Sequence, residues 1–436
     1  MHLCWLALGA AILLAAAPTG SRAARVLCYY DSRAYWRQGS AKYVVSDIES
    51  SLTYCTHVLY GYAKIDSTNS QLTPLDDYLD VDTGKGNYRA ATALRRRYFG
   101  IKLLLSVGGG ADTENREKYL TLLENSDTRT AFINSAKMLV KQNGFDGLDL
   151  AWQFPETNVK KQRSTLGSIW HSIKQTLGYG RDYVDEKQAE HRSGFTALVR
   201  DLKAALRPDN LLLTVAVLPN VNASTYLDAP EVSQHLDTIS LMAYDYKTPE
   251  RNKKQADYPA PLYTAGGRDA NQTVDGAVTW WLQQGVPASK LSLGIPMFGR
   301  TWKLTADSAP SGVPPLDADG PGAEGSLTTT PGLLAYPEVC ALIPNPNQRV
   351  TGSLLRKVSD PSQKLGTYAF RLPDPETEEG GLWVGYEDPD TAGNKATYAR
   401  HKGLGGITAA DITLDDFKGV CSGYKYPVLK AAKERL

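Results

Sequence analysis

The chain of 436 residues lacks the features that define several large protein classes. It has no excess of charge: 48 Lys and Arg balance 47 Asp and Glu, a formal net charge of +1. A balance of this kind offers no field to gather nucleic acid or another polyanion, so no nucleic-acid partner is expected. It has only 6 histidines, scattered along the chain, and 5 cysteines with no CxxC pair. Without clustered soft ligands there is no start for a zinc site, and neither a metal nor a cofactor is expected. Long apolar runs are also missing. Apart from the N-terminus, no segment approaches the roughly 20 apolar residues a membrane-spanning helix needs. Internal repeats and low-complexity tracts are absent, except for one Gly/Pro-rich stretch, SAPSGVPPLDADGPGAEG.

The N-terminus carries a different signal. Residues 3–17 are apolar and are followed by Pro18, Gly20 and a small-x-small site at Ser21-Arg22-Ala23. This predicts a secretory signal over residues 1–23 rather than an anchor, because the run is too short to span a bilayer comfortably. The mature chain is therefore expected to be secreted, extracellular and without a membrane span. Cys4 leaves with the signal, and Cys28, Cys55, Cys340 and Cys421 remain. An oxidising compartment favours two disulfides, with three pairings open. Two sequons, at Asn222 and Asn271, mark candidate N-glycosylation sites consistent with export.

Short β-branched and aromatic runs alternate with longer amphipathic segments. Strands are predicted at 26–30, 56–63, 102–107, 147–152, 211–217, 238–244, 291–297 and 405–409, with helices at 130–142, 195–206, 274–284 and 391–401. The strands are near-continuous apolar runs, as parallel strands buried on both faces require. Eight β/α alternations predict an α/β fold of the closed (β/α)8 TIM-barrel kind rather than an open doubly wound sheet. Two spacings break the rhythm. A long loop insertion, 156–193, follows the fourth strand, and a second, 301–382, regains strand-like runs and is long enough to be a small α+β subdomain. The barrel is then assigned to 24–300 and 383–436.

In a barrel, chemistry sits at the C-terminal ends of the strands. The stretch FDGLDLAWQFP at 145–155 contains Asp146 and puts Asp149, Ala151 and Gln153 on alternate positions, hence on one face of the fourth strand. Carboxylates at the last two positions would make a plausible glycosidase acid site. An alternative reading is a buried strand whose aspartates cap loops.

This stretch resembles the DGxDxDxE strand of family 18 glycoside hydrolases, the chitinases. The resemblance continues through SVGG at 106–109, MAYD at 242–245, GIPMFGR at 294–300, WVGYED at 383–388 and LDDF at 414–417, in order across nearly the whole mature chain. It implies a substrate-assisted mechanism, in which a glutamic acid protonates the glycosidic oxygen and an aspartate two residues earlier orients the substrate's acetamide. Here those positions hold Gln153 and Ala151. A carboxamide is no Brønsted acid near neutral pH, and general acid catalysis contributes about 10²–10⁴-fold, so hydrolysis is expected to be negligible. The resemblance places Tyr29, Gln153, Met242, Tyr244, Asp245 and Arg300 in the sugar groove. It also shows two departures: Ala410 stands where the family has a tryptophan floor, and Arg33 where it has a groove tryptophan, with Trp36 nearby. Their loss argues for weakened sugar affinity.

Ala and Gln in the fourth strand, followed by a long insertion, are similar to the imaginal disc growth factors, secreted insect chitinase-like proteins without hydrolase activity. That resemblance implies a growth factor promoting proliferation with insulin and contributing to extracellular matrix or cuticle, with an unidentified extracellular or cell-surface protein partner. It also implies the pairings Cys28–Cys55 and Cys340–Cys421. Two other readings are a lectin-like protein that holds chitooligosaccharide weakly without cutting it, and a hydrolase acting through Asp149 or Glu156. Within the insertion, Leu166, Ile169, Trp170, Ile173 and Leu177 fall at helical spacing. This reads as a helix packed on the barrel as cover, or, with the basic KKQR at 160–163, as a surface for a partner.

Overall fold

The computed structural model describes residues 24–155, 185–344, 354–376 and 379–436. The expected signal over 1–23 and the insertion helix around 166–177 lie outside the described residues. Eight parallel strands form the centre: β1 (Arg25–Asp31), β2 (His57–Ile65), β3 (Lys102–Gly108), β4 (Gly147–Ala151), β5 (Leu212–Val217), β6 (Thr238–Leu241), β7 (Leu291–Pro296) and β8 (Gly406–Ala410). Each pairs with the next, and β1 pairs with both β8 (Cys28 opposite Ala409) and β2 (Cys28 opposite Val58), so the sheet closes into the expected barrel. The strands are buried on both faces, which is why they read as unbroken apolar runs.

The longer helices are α1 (Ser126–Asn143), α2 (Gln188–Leu206), α3 (Val274–Gln283), α4 (Pro389–His401) and α5 (Pro427–Arg435). Capping sets their limits. Asn125 accepts from the Asp127 amide at 2.7 Å and starts α1 four residues before the apolar periodicity begins, while Gly144 closes it at φ 73°. Helix α2 begins at Gln188, so the end of the expected 156–193 loop is helical. Strand β6 stops at Leu241, short of the expected 244, because the chain turns through Asp245 in the left-handed region at φ 56°.

Between β7 and α4 lies an antiparallel sheet built on Phe298–Leu304, which pairs with Gly381–Tyr386, Leu316–Pro321 and Leu333–Ala335. It reaches past the 301–382 span at both ends and takes Gln255–Ala256 from the loop after β6 as its far edge. Its core is aromatic: Trp383 stacks on Tyr368 (centroids 5.4 Å, 19°) and meets Trp302 edge-on at 5.5 Å. Cys28 is bonded to Cys55, and Cys340 to Cys421, with Cα atoms 5.9 and 6.0 Å apart. The first bridge ties β1 to the entry of β2, and the second ties the subdomain to the segment after β8.

The bridges span 27 and 81 residues. By the chain-entropy relation they stabilise the fold by about 3.5 and about 4.5 kcal/mol. Replacing Cys340 and Cys421 together by Ala should thus lower unfolding free energy in urea more than replacing Cys28 and Cys55.

A second prediction concerns pH. His57, at the foot of β2 with Nδ1 2.8 Å from the Thr56 hydroxyl, is lowered from 6.5 to about 4 by burial and by Arg25 and Lys102. The unfolded chain takes up this proton first, so the stabilisation is fully present above pH 6.5 and disappears as pH falls towards 4. Between pH 7 and about 4.5, His57→Gln should lose less unfolding free energy than the unsubstituted chain, by about 2 kcal/mol.

Candidate functional site

The inward positions of the strands build the site from the bottom up. Asp149 on β4 is fully buried in the lumen, where three hydroxyls from three other strands converge on it. Tyr29 and Ser106 donate to Oδ2 at 2.5 and 2.7 Å, and Thr214 donates to Oδ1 at 2.5 Å. Burial raises the Asp149 pKa, and these three hydrogen bonds oppose it. The carboxyl is tied into a closed knot below the mouth. Ser106 lies within SVGG, but Thr214 carries no motif and is found only through the register of β4 and β5.

The two positions above Asp149 would form the acid site in the resembled family. Ala151 is 1% exposed and packs with Leu104, Met242, Tyr244 and Ala410 in the lumen cluster. Its carbonyl accepts from the Gly109 amide at 2.9 Å. The glycines of SVGG are needed here. Gly108 has φ 88°, and a Cβ on it would come within 2.5 Å of the Tyr119 hydroxyl and 2.7 Å of the Ala151 oxygen.

Gln153 is 8% exposed, and its amide nitrogen donates to the carbonyls of Gly109 (2.7 Å) and Asp112. The second acceptor is held rigidly. Asp112 is buried, with its carboxylate on Lys118 Nζ at 2.6 Å, the Tyr119 hydroxyl at 2.8 Å and the Ile65 amide at 3.1 Å. Both N–H bonds of the carboxamide are thus spent on the protein backbone. Nothing in the sequence marks Asp112 as a partner of Gln153, because the contact joins two loops 41 positions apart.

Asp146, by contrast, lies at the foot of the barrel. It accepts from the Leu103 amide at 2.9 Å and pairs with Arg95 at 3.2 Å and Lys102 at 3.3 Å, so the structure does not bring it to the mouth.

Of the expected groove residues, Tyr29, Met242 and Tyr244 are buried in the lumen cluster, at 3%, 5% and 8% exposure. Burial, with Asp245 and Asp411 nearby, raises the Tyr244 hydroxyl pKa. Asp245 and Arg300 form a bidentate ion pair at 2.8 and 2.7 Å, and Phe298 lies under the guanidinium at 5.0 Å. Ala410 sits among the lumen side chains, with no aromatic face to offer a sugar. Arg33 turns back on Asp31, with its Nη2 2.7 Å from Oδ2, and reaches the Gly110 carbonyl at 3.4 Å. Trp36 is half exposed on the rim, its indole nitrogen donating to Asp76 at 2.9 Å. A cleft of about 610 Å³ stays open, bounded by Gln153, Phe154, Gly110, Asp245, Arg251 and Arg300. Both sequon asparagines, Asn222 and Asn271, are exposed. Among the described residues no group of three or more His, Cys, Asp or Glu could hold a metal, and no helix is long and apolar enough to cross a membrane.

A closed parallel barrel with this strand-four site is the architecture of a sugar-cleaving family, and comparison with known proteins agrees. Residues 25–415 match Glycosyl hydrolases family 18, and the chain belongs to that family. It is 52% identical to Chitinase-like protein EN03 of Bombyx mori, over 99% of each chain. It is 45% identical to Imaginal disk growth factor 6 of Drosophila melanogaster, over 94% of this chain and 93% of that one. Among solved structures it is similar to catalytic domain 2 of the Ostrinia furnacalis Group II chitinase: TM-score 0.77, 30% identity, covering 94% of this chain and 96% of that one.

The hydrogen bonds of Gln153 generate a prediction. A glutamate there would set a carboxylate against two carbonyl oxygens, of which even its protonated form, with one O–H, could satisfy only one. Its folded pKa would be raised, so Gln153→Glu should cost about 1–2 kcal/mol near pH 7, and the deficit should shrink as pH falls towards 4. Urea unfolding at the two pH values checks this.

Proposed function

We propose that this chain is a secreted, non-hydrolytic protein on a chitinase scaffold, acting as a growth factor that promotes proliferation together with insulin and contributes to extracellular matrix or cuticle formation. One observation carries the non-hydrolytic part. Where the family's mechanism calls for an acid, the Gln153 carboxamide has both N–H bonds directed at the Gly109 and Asp112 carbonyls. It has no proton to give a leaving oxygen, and Ala151 has no group to orient an acetamide. Asp149 is a poor substitute, since Tyr29, Ser106 and Thr214 enclose its carboxylate in the lumen. Export is supported by the signal pattern over 1–23 and by the two disulfides. The growth-factor role is supported by the similarity to Imaginal disk growth factor 6 and to other insect chitinase-like proteins.

The open cleft favours a second reading, a lectin-like protein that holds chitooligosaccharide weakly. A mutant of the Ostrinia furnacalis domain has been solved in complex with (NAG)5. Against this reading, Ala410 and the buried tyrosines leave little aromatic surface for a sugar ring to stack on.

The test uses the purified chain. With a fluorogenic chitobioside between about pH 4 and 8, release should stay at the buffer rate, since the missing general acid alone accounts for about 10²–10⁴-fold. Restoring Ala151→Asp and Gln153→Glu together should recover little, because the sugar floor is still absent. Substantial turnover by the unsubstituted chain overturns the non-hydrolytic reading. Cultured insect cells given insulin should divide faster when the protein is added, and an unchanged rate overturns the growth-factor reading.

A further inference from the structure

A second concavity, of about 400 Å³, opens at the seam between the antiparallel sheet and the barrel, away from the strand-four mouth. One wall is the 359–367 turn between the strands Arg356–Ser359 and Thr367–Arg371, and the other is the first two turns of α4 with the end of α5. At its base is Lys395, 2% exposed and so a charged group taken almost wholly out of water. Its ammonium donates to the Ala260 carbonyl at 2.7 Å and to Glu387 Oε1 at 2.5 Å. Two acceptors serve the three N–H bonds of this ammonium, and its side chain lines the concavity. The buried Glu387 Oε2 also has no hydrogen-bond partner. Leaving a buried polar group unmatched destabilises the fold.

The rim is built to be polar. Arg435 lies across α4, its Nη1 3.2 Å from Asn394 Oδ1 and its Nη2 3.4 Å from Asp390 Oδ1. It can do so because residue 393 is glycine: a Cβ there would come within 2.6 Å of the Arg435 Cδ. Gln363 faces the same space from the opposite turn, while Leu262 and Leu365 supply apolar patches.

Charge selects the class of occupant. Among the lining residues, Lys395 and Arg435 bring two positive charges and Asp360 and Asp390 two negative ones, so the concavity has no net charge to hold a free ion. Asp360 is held ionised against burial by the Ser362, Leu365 and Lys364 donors. A free anion is disfavoured in such a setting, and an occupant is needed that accepts from an ammonium and donates to amides and carboxylates while covering leucines. Hydroxyl-rich rings do all three.

We propose that this seam is a binding site for a neutral saccharide unit, independent of the barrel mouth, with Lys395, Asn394 and Gln363 as its polar contacts. A sugar here touches the antiparallel sheet and the helices α4 and α5 at once and stabilises their junction.

Calorimetric titration of the full chain with N-acetylglucosamine, chitobiose and inorganic phosphate tests the proposal. A sugar should bind, and its affinity should fall about tenfold in Asn394→Ala and in Lys395→Met, the loss expected for one strong hydrogen bond. The rim variant keeps the test valid if Lys395→Met fails to fold. Arg251→Ala, in the barrel cleft, separates the two sites: sugar affinity lost there but kept in Asn394→Ala assigns binding to the mouth and overturns the seam. Binding of phosphate but not sugar, or no sugar binding at concentrations of tens of millimolar, also overturns it.

Discussion

The pairing of β1 with both β2 and β8 closes the sheet, and closure decides which side chains can reach solvent. In an open sheet, the inward positions of β4 would face a helix layer. In the barrel they face one another, so Asp149, shut off from bulk solvent, meets hydroxyls from β1, β3 and β5. That buried carboxylate and its three donors join four strands. The mouth above them rests on this arrangement.

At the mouth, two residues act in different ways. Ala151 is an apolar position that packs with Met242, Tyr244 and Ala410. Gln153 donates to two carbonyls, where a carboxylate could only accept. The first fills the lumen, and the second holds the loop carrying Asp112 against β4. On the proposed non-hydrolytic reading the site is not a vacated one, because its residues hold the mouth together.

The eight strands were readable from periodicity because buried parallel strands leave long apolar runs, whereas the order of motifs was read from the resemblance to family 18; within it, SVGG records a backbone that has no space for a side chain at 108. Helix starts were harder to place. The apolar stripe of α2 begins late, whereas the helix itself begins at Gln188. The loop after β6 was read as strand, since MAYD is as apolar and aromatic as a strand. Only the left-handed turn at Asp245, held by Arg300, shows where the strand must end.

The sequence by itself determined the closed eight-strand α/β architecture and the identity of the groups at 149, 151 and 153, because periodicity and residue type are properties of the chain. Tertiary structure alone decided what those groups touch. It brought Thr214 to Asp149 and the Asp112 carbonyl to Gln153, sent Asp146 to the foot of the barrel, and set Lys395 at a seam between the antiparallel sheet and the barrel's outer helices. The physical reason is that these contacts join segments tens to hundreds of residues apart, through strand register and loop packing that no local pattern encodes.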